Sequence, residues 1–103
     1  MTDRLSFQNL HTALRAVAEA TRLRILALLT EAELTVSDLI EILRQSQPRI
    51  SRHLKLLLEA GLIERHREGA WAFFRVADRA GGADIVRALT GFLDPDDATL
   101  ARD

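Results

Sequence analysis

The chain has 103 residues, enough for one domain with one modest hydrophobic core. It contains no cysteine, which excludes disulfides and thiolate metal sites, and it has no apolar run of about eighteen residues that would span a membrane. The first residues show no signal-peptide pattern, so a cytoplasmic location is expected. The net charge is −1, yet residues 44–79 hold eight Lys and Arg against four Asp and Glu. For nucleic-acid binding, a local basic face of this kind matters more than the net charge of the whole chain.

Two helices are predicted ahead of this basic segment. Residues 5–18 form one apolar stripe at helical spacing, made of Leu5, Phe7, Leu10, Leu14 and Val17. Residues 20–32 are apolar nearly all round, with Arg22 and Arg24 at the polar start. The second helix is therefore expected at the centre of the core, and the first one either caps that core or packs on a partner chain.

A helix-turn-helix is predicted next. Thr35 and Asp38 fit a capping box, so a short helix begins there and runs through Leu43. Arg44 and Gln45 then form a tight turn into another helix, an arrangement typical of this motif.

The second helix of the motif presents a polar and cationic face. Ser46 is a suitable N-cap, Pro48 fits the first turn, and Gly61 is placed to end the helix in the left-handed conformation. At about 100° per residue, one side is formed by Ile50, Leu54 and Leu57. The opposite side and the exposed N-terminal edge carry Gln47, Arg49, Ser51, Arg52 and Lys55. This pattern is typical of a helix that enters a DNA major groove, and also of an ordinary amphipathic surface helix.

A β-hairpin follows the motif. Residues 62–67 and 70–76 are rich in alternating, β-branched and aromatic residues, with a tight turn predicted at Glu68 and Gly69. A two-stranded hairpin is marginal alone, so it must lean on the helices as a wing. Phe73 and Phe74 should face opposite sides, so at least one belongs to the core. Trp71 either shields the hairpin or makes a functional contact.

The chain ends in a last helix and an acidic tail. Gly81-Gly82 is expected to break the chain before an amphipathic helix that extends to residue 93 and stops at Asp94-Pro95. Residues 1–93 are therefore predicted to form one domain. Residues 94–103 are acidic and weakly patterned, which indicates a frayed tail or the start of a linker.

The order of elements, α-α-α-α-β-β-α, is that of a winged helix-turn-helix, mainly α with a small β-hairpin. The amino-acid sequence resembles that of the ArsR/SmtB family of bacterial repressors over roughly residues 10–93. The matching segments are 18–26, 33–39, 46–48 with 50–54, 60–63 and 67–69. The resemblance implies a homodimer joined through its first and last helices, which sits on a palindromic operator and leaves DNA when a small effector binds.

The metal sites of that family are not recognisable in this chain. Thiolate-sensing members have cysteines where this sequence has Thr35 and Ser37, and hydroxyls are poor ligands for soft metals. Other members use Asp and His on the last helix, which here contains Asp84 and no His. His11, His53 and His66 are scattered, and a lone histidine cannot make a site. The sequence predicts no metal, no cofactor and metal-independent regulation.

The tail carries a further resemblance. It is similar to the acidic tails of family members that are fused or related to S-adenosylmethionine-dependent methyltransferases. That resemblance implies a small organic effector similar to S-adenosylhomocysteine. The sequence leaves open whether the chain is a full-length protein or the N-terminal domain of a fusion, and it does not identify the operator or the regulated genes.

The predicted function is a sequence-specific, DNA-binding transcriptional repressor. DNA contacts are expected from Ser46, Gln47, Arg49, Ser51, Arg52, Lys55, Arg65 and Arg67. A dimer interface is expected from Leu5, Leu10, Leu14, Val17, Ile85, Leu89 and Phe92, because a core of this size cannot absorb both apolar stripes. No phosphate loop, activated nucleophile or ligand cluster indicates an enzyme. The alternative is a winged-helix module that binds no DNA and only dimerises or docks a partner.

Overall fold

The computed structural model describes residues 4–78 and 80–103, so Met1–Asp3 and Arg79 of the predicted domain lie outside the described residues. The helices are α1 (Phe7–Val17), α2 (Ala20–Leu29), α3 (Val36–Leu43), α4 (Gln47–Glu59), α5 (Ala80–Thr90) and α6 (Ala98–Arg102). The strands are β1 (Ile63–Glu68) and β2 (Trp71–Val76). This order confirms the predicted winged helix-turn-helix and adds one short helix at the C-terminus.

The helix-turn-helix begins and ends as the sequence predicts. The Thr35 Oγ1 accepts a hydrogen bond from the Asp38 N–H at 3.1 Å, and the Asp38 carboxylate accepts one from the Thr35 N–H at 2.9 Å, so the capping box is complete. Arg44 takes the left-handed conformation in the turn to α4. Ser46 caps α4, and Gly61 follows the helix with a φ of +75°.

The core lies between α2, α4 and the base of the hairpin. Its most deeply buried side chains are Ile25, Leu26, Leu39, Ile50, Leu54, Leu57, Leu62 and Val86. The apolar side predicted for α4 is thus confirmed, since Ile50, Leu54 and Leu57 are all buried. Complete burial of one such side chain stabilises the fold by roughly 1.5–3 kcal/mol, so this side anchors the helix.

The hairpin is confirmed, but its turn lies one residue later than predicted. Glu68 pairs with Trp71 as the last rung of the ladder, so the turn residues are Gly69 and Ala70 rather than Glu68 and Gly69. Gly69 has a φ of +61° and Ala70 keeps a negative φ, the pattern of a type II′ turn. Phe74 is the buried phenylalanine of β2.

Three expectations for the C-terminal part are corrected. The last amphipathic helix, α5, ends at Thr90 rather than at residue 93. Gly81 and Gly82 do not break the chain but lie in the first turn of α5. A Cβ at Gly82 would overlap the Gly61 carbonyl oxygen, so the glycine permits α5 to approach the end of α4 closely. The tail is less frayed than predicted, because α6 forms there with Asp97 as its N-cap.

An ion pair holds this tail against α2. The Asp103 carboxylate accepts hydrogen bonds from Arg24 Nε at 2.9 Å and from Arg24 Nη2 at 2.5 Å, and the Asp103 side chain is 3% exposed. The same hydrogen bonding raises the pKa of Arg24, against the effect of burial.

Among residues 4–78 and 80–103, no helix is long and apolar enough to cross a membrane.

Candidate nucleic-acid interface

The outer face of α4 carries the polar and cationic side chains predicted to contact DNA. Ser46, Gln47, Arg49, Arg52 and Lys55 are exposed, and Ser51 is half-buried. Gln47 Nε2 donates a hydrogen bond to Ser51 Oγ at 2.6 Å, so two of these groups are already oriented by each other. Base edges in the major groove present donors and acceptors that match such side chains.

A groove of about 290 Å³ separates α4 from the wing. Its polar side chains are Ser51 and Lys55 from α4 and Arg65 from β1. Its apolar floor is formed by Val36, Leu54, Leu58, Ala72 and Phe74. The structure therefore brings together residues of the helix and the wing that the sequence assigned separately to one DNA-binding face.

Strand alternation divides the side chains of the wing between two faces. Arg65 pairs with Phe74 and Arg67 pairs with Ala72, and residues paired across the strands lie on the same face of the hairpin. Because Ala72 and Phe74 line the groove, both arginines lie on the face of the wing that is turned toward it. Both are exposed. A guanidinium in such a place is suited to phosphate oxygens of a backbone beside the groove.

The opposite face of the wing carries a network of charged groups. Arg75 donates to the Glu64 carboxylate through Nε at 2.9 Å and Nη2 at 2.8 Å, and its Nη1 lies 3.7 Å from Glu33. His66 Nε2 lies 3.2 Å from a Glu33 oxygen and 3.6 Å from a Glu68 oxygen. Glu33 precedes α3, so these pairs tie the wing to the start of the helix-turn-helix.

Arg22, at the start of α2, contacts residues of both α1 and α4. The sequence did not predict these contacts. Its Nε donates to the Ala16 carbonyl at 2.6 Å, and its Nη1 lies 3.2 Å from His53 Nδ1. The Glu19 carboxylate accepts from the Arg22 N–H at 2.8 Å and lies 3.9 Å from His53 Nδ1. The end of α1, the start of α2 and the flank of α4 thus meet at one side chain.

The protonation state of His53 follows from this geometry. Arginine has no acceptor, so Nδ1 must accept the hydrogen bond and the imidazole is neutral. Burial lowers the pKa of His53, and Arg22, Arg49 and Arg52 lower it further, while the Glu19 carboxylate opposes them. The packed role predicted for His53 is consistent with this environment. The one signal in the sequence for the hydrogen-bond partner of His53 was the position of Arg22 at the polar start of α2.

The residues predicted to form a dimer interface fall into three groups. Leu10 and Leu14 are 41% and 44% exposed, and Phe92 is 86% exposed. Leu5, Ile85 and Leu89 are half-buried. Val17 is different, because it is buried in the core of its own chain and has little surface left for a partner. Phe7, which was not among the predicted interface residues, is 86% exposed.

The donor groups for a metal are dispersed. Among residues 4–78 and 80–103, no three His, Cys, Asp or Glu side chains gather closely enough to hold an ion. Thr35 and Ser37 lie at the start of α3, where Thr35 is occupied as the N-cap.

Comparison with known proteins places this architecture in a family. Residues 19–65 match the family described as "Bacterial regulatory protein, arsR family". The arsenical resistance operon repressor of Escherichia coli is 48% identical over 64 residues, which cover 61% of this chain and 55% of that protein. An arsenic resistance transcriptional regulator of Pseudomonas putida is 43% identical over 94 residues, which cover 84% of this chain and 73% of the relative.

A solved structure agrees with these relatives. A homodimeric winged helix-turn-helix DNA-binding domain from Mycobacterium bovis superposes with a TM-score of 0.70 at 26% identity, over 82% of this chain and 73% of that one. Sequence, element order and superposition therefore lead to one assignment. The chain belongs to the arsR family of bacterial regulatory proteins.

Proposed function

We propose that this chain is a sequence-specific DNA-binding transcriptional repressor that acts as a homodimer on a palindromic operator. The observation that carries the proposal is the single groove shared by Ser51 and Lys55 of α4 and Arg65 of the wing. In this arrangement α4 reads base edges in the major groove, and the wing arginines hold the neighbouring phosphates. Because its ligand is then chromosomal DNA, we place the protein in the cytoplasm and assign it no enzymatic activity.

Exposed apolar side chains support the homodimer. Among the described residues outside the wing, the large exposed hydrophobic side chains are Phe7, Leu10 and Leu14 of α1 and Phe92, two residues after the end of α5. The Mycobacterium bovis relative is described as homodimeric. A two-fold dimer presents two α4 helices to two half-sites, which is why a palindrome is the expected operator. An obligate interface should bury well over about 1,000 Å² in total.

We propose that regulation does not depend on a metal. Two relatives are named for arsenic or arsenical resistance, but this chain contains no cysteine and therefore no thiolate for a soft metal ion. The described histidines and carboxylates also form no cluster of three. Zinc, cadmium and arsenite at micromolar concentrations should therefore leave operator affinity unchanged.

The organic effector predicted from the tail remains a prediction. The relatives named above are transcriptional regulators, which gives the methyltransferase subgroup and an adenosyl ligand no support. The tail itself is held at Arg24 by Asp103. A thermal-shift screen that includes S-adenosylhomocysteine tests this directly, since a ligand that binds the folded dimer raises its Tm.

The operator must first be isolated, for example by selecting bound fragments from a library of genomic DNA. Affinity is then measured by fluorescence anisotropy at several salt concentrations, with a scrambled fragment of equal length. Specific binding should weaken as salt rises, because phosphate contacts release counterions. Arg102→Ala, which removes an exposed cation on α6, is the matched control and should bind like the wild type.

The alternative, a winged-helix module that only dimerises or docks a partner, predicts a different result. Such a module selects no fragment and shows no salt-dependent binding to any DNA. Light scattering completes the test, because a monomer at micromolar concentration contradicts the homodimer.

A further inference from the structure

A cleft of about 600 Å³ lies between α1, the start of α2 and α4, and it shares no lining residue with the groove beside the wing. One wall is the polar side of α1, where Gln8, Thr12 and Arg15 recur at helical spacing. The facing wall includes Arg52 and Leu56 of α4. Small-molecule sites have volumes of about 300–1,000 Å³, so the cleft is large enough for such a ligand.

The cleft lies apart from the apolar surface assigned to the homodimer. The exposed apolar side chains of α1 are Phe7, Leu10 and Leu14, and none of them lines the cleft. At about 100° per residue, Thr12 and Arg15 lie on a different side of the helix from those three. The cleft is therefore formed within a single chain.

The lining of the cleft is cationic. Arg15, Arg22 and Arg52 reach it from three different helices, and one carboxylate, that of Glu59, is among the described residues around it. Three guanidinium groups and one carboxylate leave a net charge of +2. Burial lowers the pKa of the neighbouring His53, and the positive charges of Arg22 and Arg52 lower it further. A ligand for this cleft should therefore carry negative charge.

The donors of the cleft are partly ordered before any ligand binds. Arg22 Nε donates to the Ala16 carbonyl at 2.6 Å, and Arg22 Nη1 lies 3.2 Å from His53 Nδ1. These contacts use two of the five N–H groups of the guanidinium, so its orientation is fixed at little further cost in entropy. Gln8 Nε2 donates to Thr12 Oγ1 at 3.4 Å, which leaves the hydroxyl proton of Thr12 to donate to a ligand.

We propose that this cleft binds a small phosphate monoester and that the bound phosphoryl group competes with operator DNA for Arg52. Such a group carries nearly two negative charges above about pH 7 and presents three acceptor oxygens. It therefore suits guanidinium groups that come from three helices, whereas a carboxylate offers two oxygens and one charge. Ala16 and Leu56 provide apolar surface for the organic part of the ligand.

The competition follows from the position of Arg52. Its side chain is exposed on α4, where it is proposed to contact a base, and it also lines the cleft. A guanidinium that pairs with a bound phosphoryl group is withdrawn from DNA, so ligand and operator weaken each other's binding by the same factor. This competition rests on the proposed function, whereas binding of the monoester to the free protein does not.

Isothermal titration calorimetry of the full chain tests the cleft without DNA. The probes are phenyl phosphate, inorganic phosphate and phenol, each at about pH 7.5 and at constant ionic strength. Phenyl phosphate should bind once per chain and about tenfold more tightly than inorganic phosphate, because its ring buries apolar surface. Phenol lacks the charged group and should show no measurable binding.

Substitutions of opposite sign then locate the binding. Arg15→Gln removes one cation of the cleft and should weaken phenyl phosphate binding by about three- to tenfold, as expected for one partly screened, charge-assisted hydrogen bond. Glu59→Gln removes the carboxylate and should tighten binding by about two- to fivefold, a gain that misfolding cannot produce. Arg102→Gln removes an exposed cation of α6 outside the cleft and should bind like the wild type. Circular dichroism shows whether each variant keeps its helices.

Fluorescence anisotropy with the selected operator tests the competition. Phenyl phosphate should weaken operator binding by the wild type more than sodium chloride does at the same ionic strength. Arg15→Gln should need a higher concentration of phenyl phosphate for the same effect, because its cleft binds the ligand less tightly.

The cleft is not a phosphate monoester site if phenyl phosphate binds no more tightly than inorganic phosphate, or if Arg15→Gln and Arg102→Gln bind it alike. If calorimetry shows the site but the ligand leaves operator affinity unchanged, the competition at Arg52 is wrong and the repressor function stands. If no DNA fragment is selected at all, the repressor function and the competition fail together, and calorimetry alone decides whether the cleft binds the monoester.

Discussion

Helix α4 and the wing lie on either side of one groove, yet different forces hold them in place. The helix buries Ile50, Leu54 and Leu57 to 2% exposure or less, and Arg22 contacts its flank at His53. The wing buries Ile63 and Phe74 at its base, and beyond them it has a two-stranded ladder and surface charge pairs. The element proposed to read bases is fixed by core packing, while the element proposed to contact phosphates is held beyond its base mainly by its ladder and charge pairs.

This difference fits the tasks proposed for the two elements on DNA. Readout of base edges requires donors and acceptors in set positions, which a helix fixed by core packing provides. Phosphates are repeated along the backbone and accept contact from several directions, so a phosphate-contacting element needs less exact positioning. The comparison predicts large effects for core substitutions under α4 and small ones for charge pairs on the wing.

The largest effect is expected for Leu54→Ala. Leu54 is 2% exposed, so truncation removes buried surface and leaves a cavity, which should lower the free energy of unfolding by about 2–5 kcal/mol. Urea unfolding followed by circular dichroism at a fixed protein concentration measures this. Lys55→Ala, on the exposed side of the same turn, is the control and should stay within about 0.5 kcal/mol of the wild type. Equal losses in the two variants would show that α4 is not anchored by its apolar side.

An intermediate effect is expected from protonation of His53. Its pKa is lowered by burial in the folded chain, so the unfolded chain takes up the proton first. The stability from neutral His53 is present above a pH of about 6.5, and it is lost as the pH falls through the lower folded pKa. Protonated Nδ1 can no longer accept from Arg22, so α4 should loosen and operator affinity should fall over the same range.

Glutamine provides the comparison for this pH effect. His53→Gln keeps an acceptor for Arg22 without a titrating group, so its stability should depend less on pH between about 5 and 7.5. His66→Gln, on the wing, should retain the wild-type dependence of α4. Superimposable pH profiles for the wild type and His53→Gln would contradict the role assigned to the Arg22 contact.

The smallest effect is expected on the wing. Glu64→Gln weakens the pair with Arg75, but the Glu64 side chain is 30% exposed and such pairs are screened by water. The free energy of unfolding should fall by no more than about 1 kcal/mol, and the difference should shrink in about 1 M salt. A loss comparable with that of Leu54→Ala would mean that the wing is held as firmly as α4.

Local signals predicted the elements of this chain well. The capping pair Thr35 and Asp38, the N-cap Ser46 and the apolar period of α4 are each set by neighbours in sequence, and the structure confirms them. The hairpin was predicted from alternation, although its turn was misplaced by one residue because Gly69 opens the turn rather than closing it.

Contacts between residues that are far apart along the chain could not be predicted from the sequence. Arg22 and His53 are 31 positions apart, and Arg24 and Asp103 are 79 apart, so no local period relates them. The burial of Val17 was missed for a similar reason, since a stripe does not show which of its members the core absorbs. The packing of Gly82 against Gly61 likewise depends on how α5 meets the end of α4.

The central claim, that α4 reads sequence and the wing follows the backbone, is tested most directly by comparing Arg52→Ala with Arg67→Ala. Each variant is titrated with the selected operator, with operators changed at single base pairs, and over a range of salt concentrations. Arg52→Ala should cost roughly 1–3 kcal/mol and relax the preference at one base pair. Arg67→Ala should weaken all sequences alike and reduce the salt slope by about one unit. If both variants bind every operator like the wild type, the proposed interface is wrong.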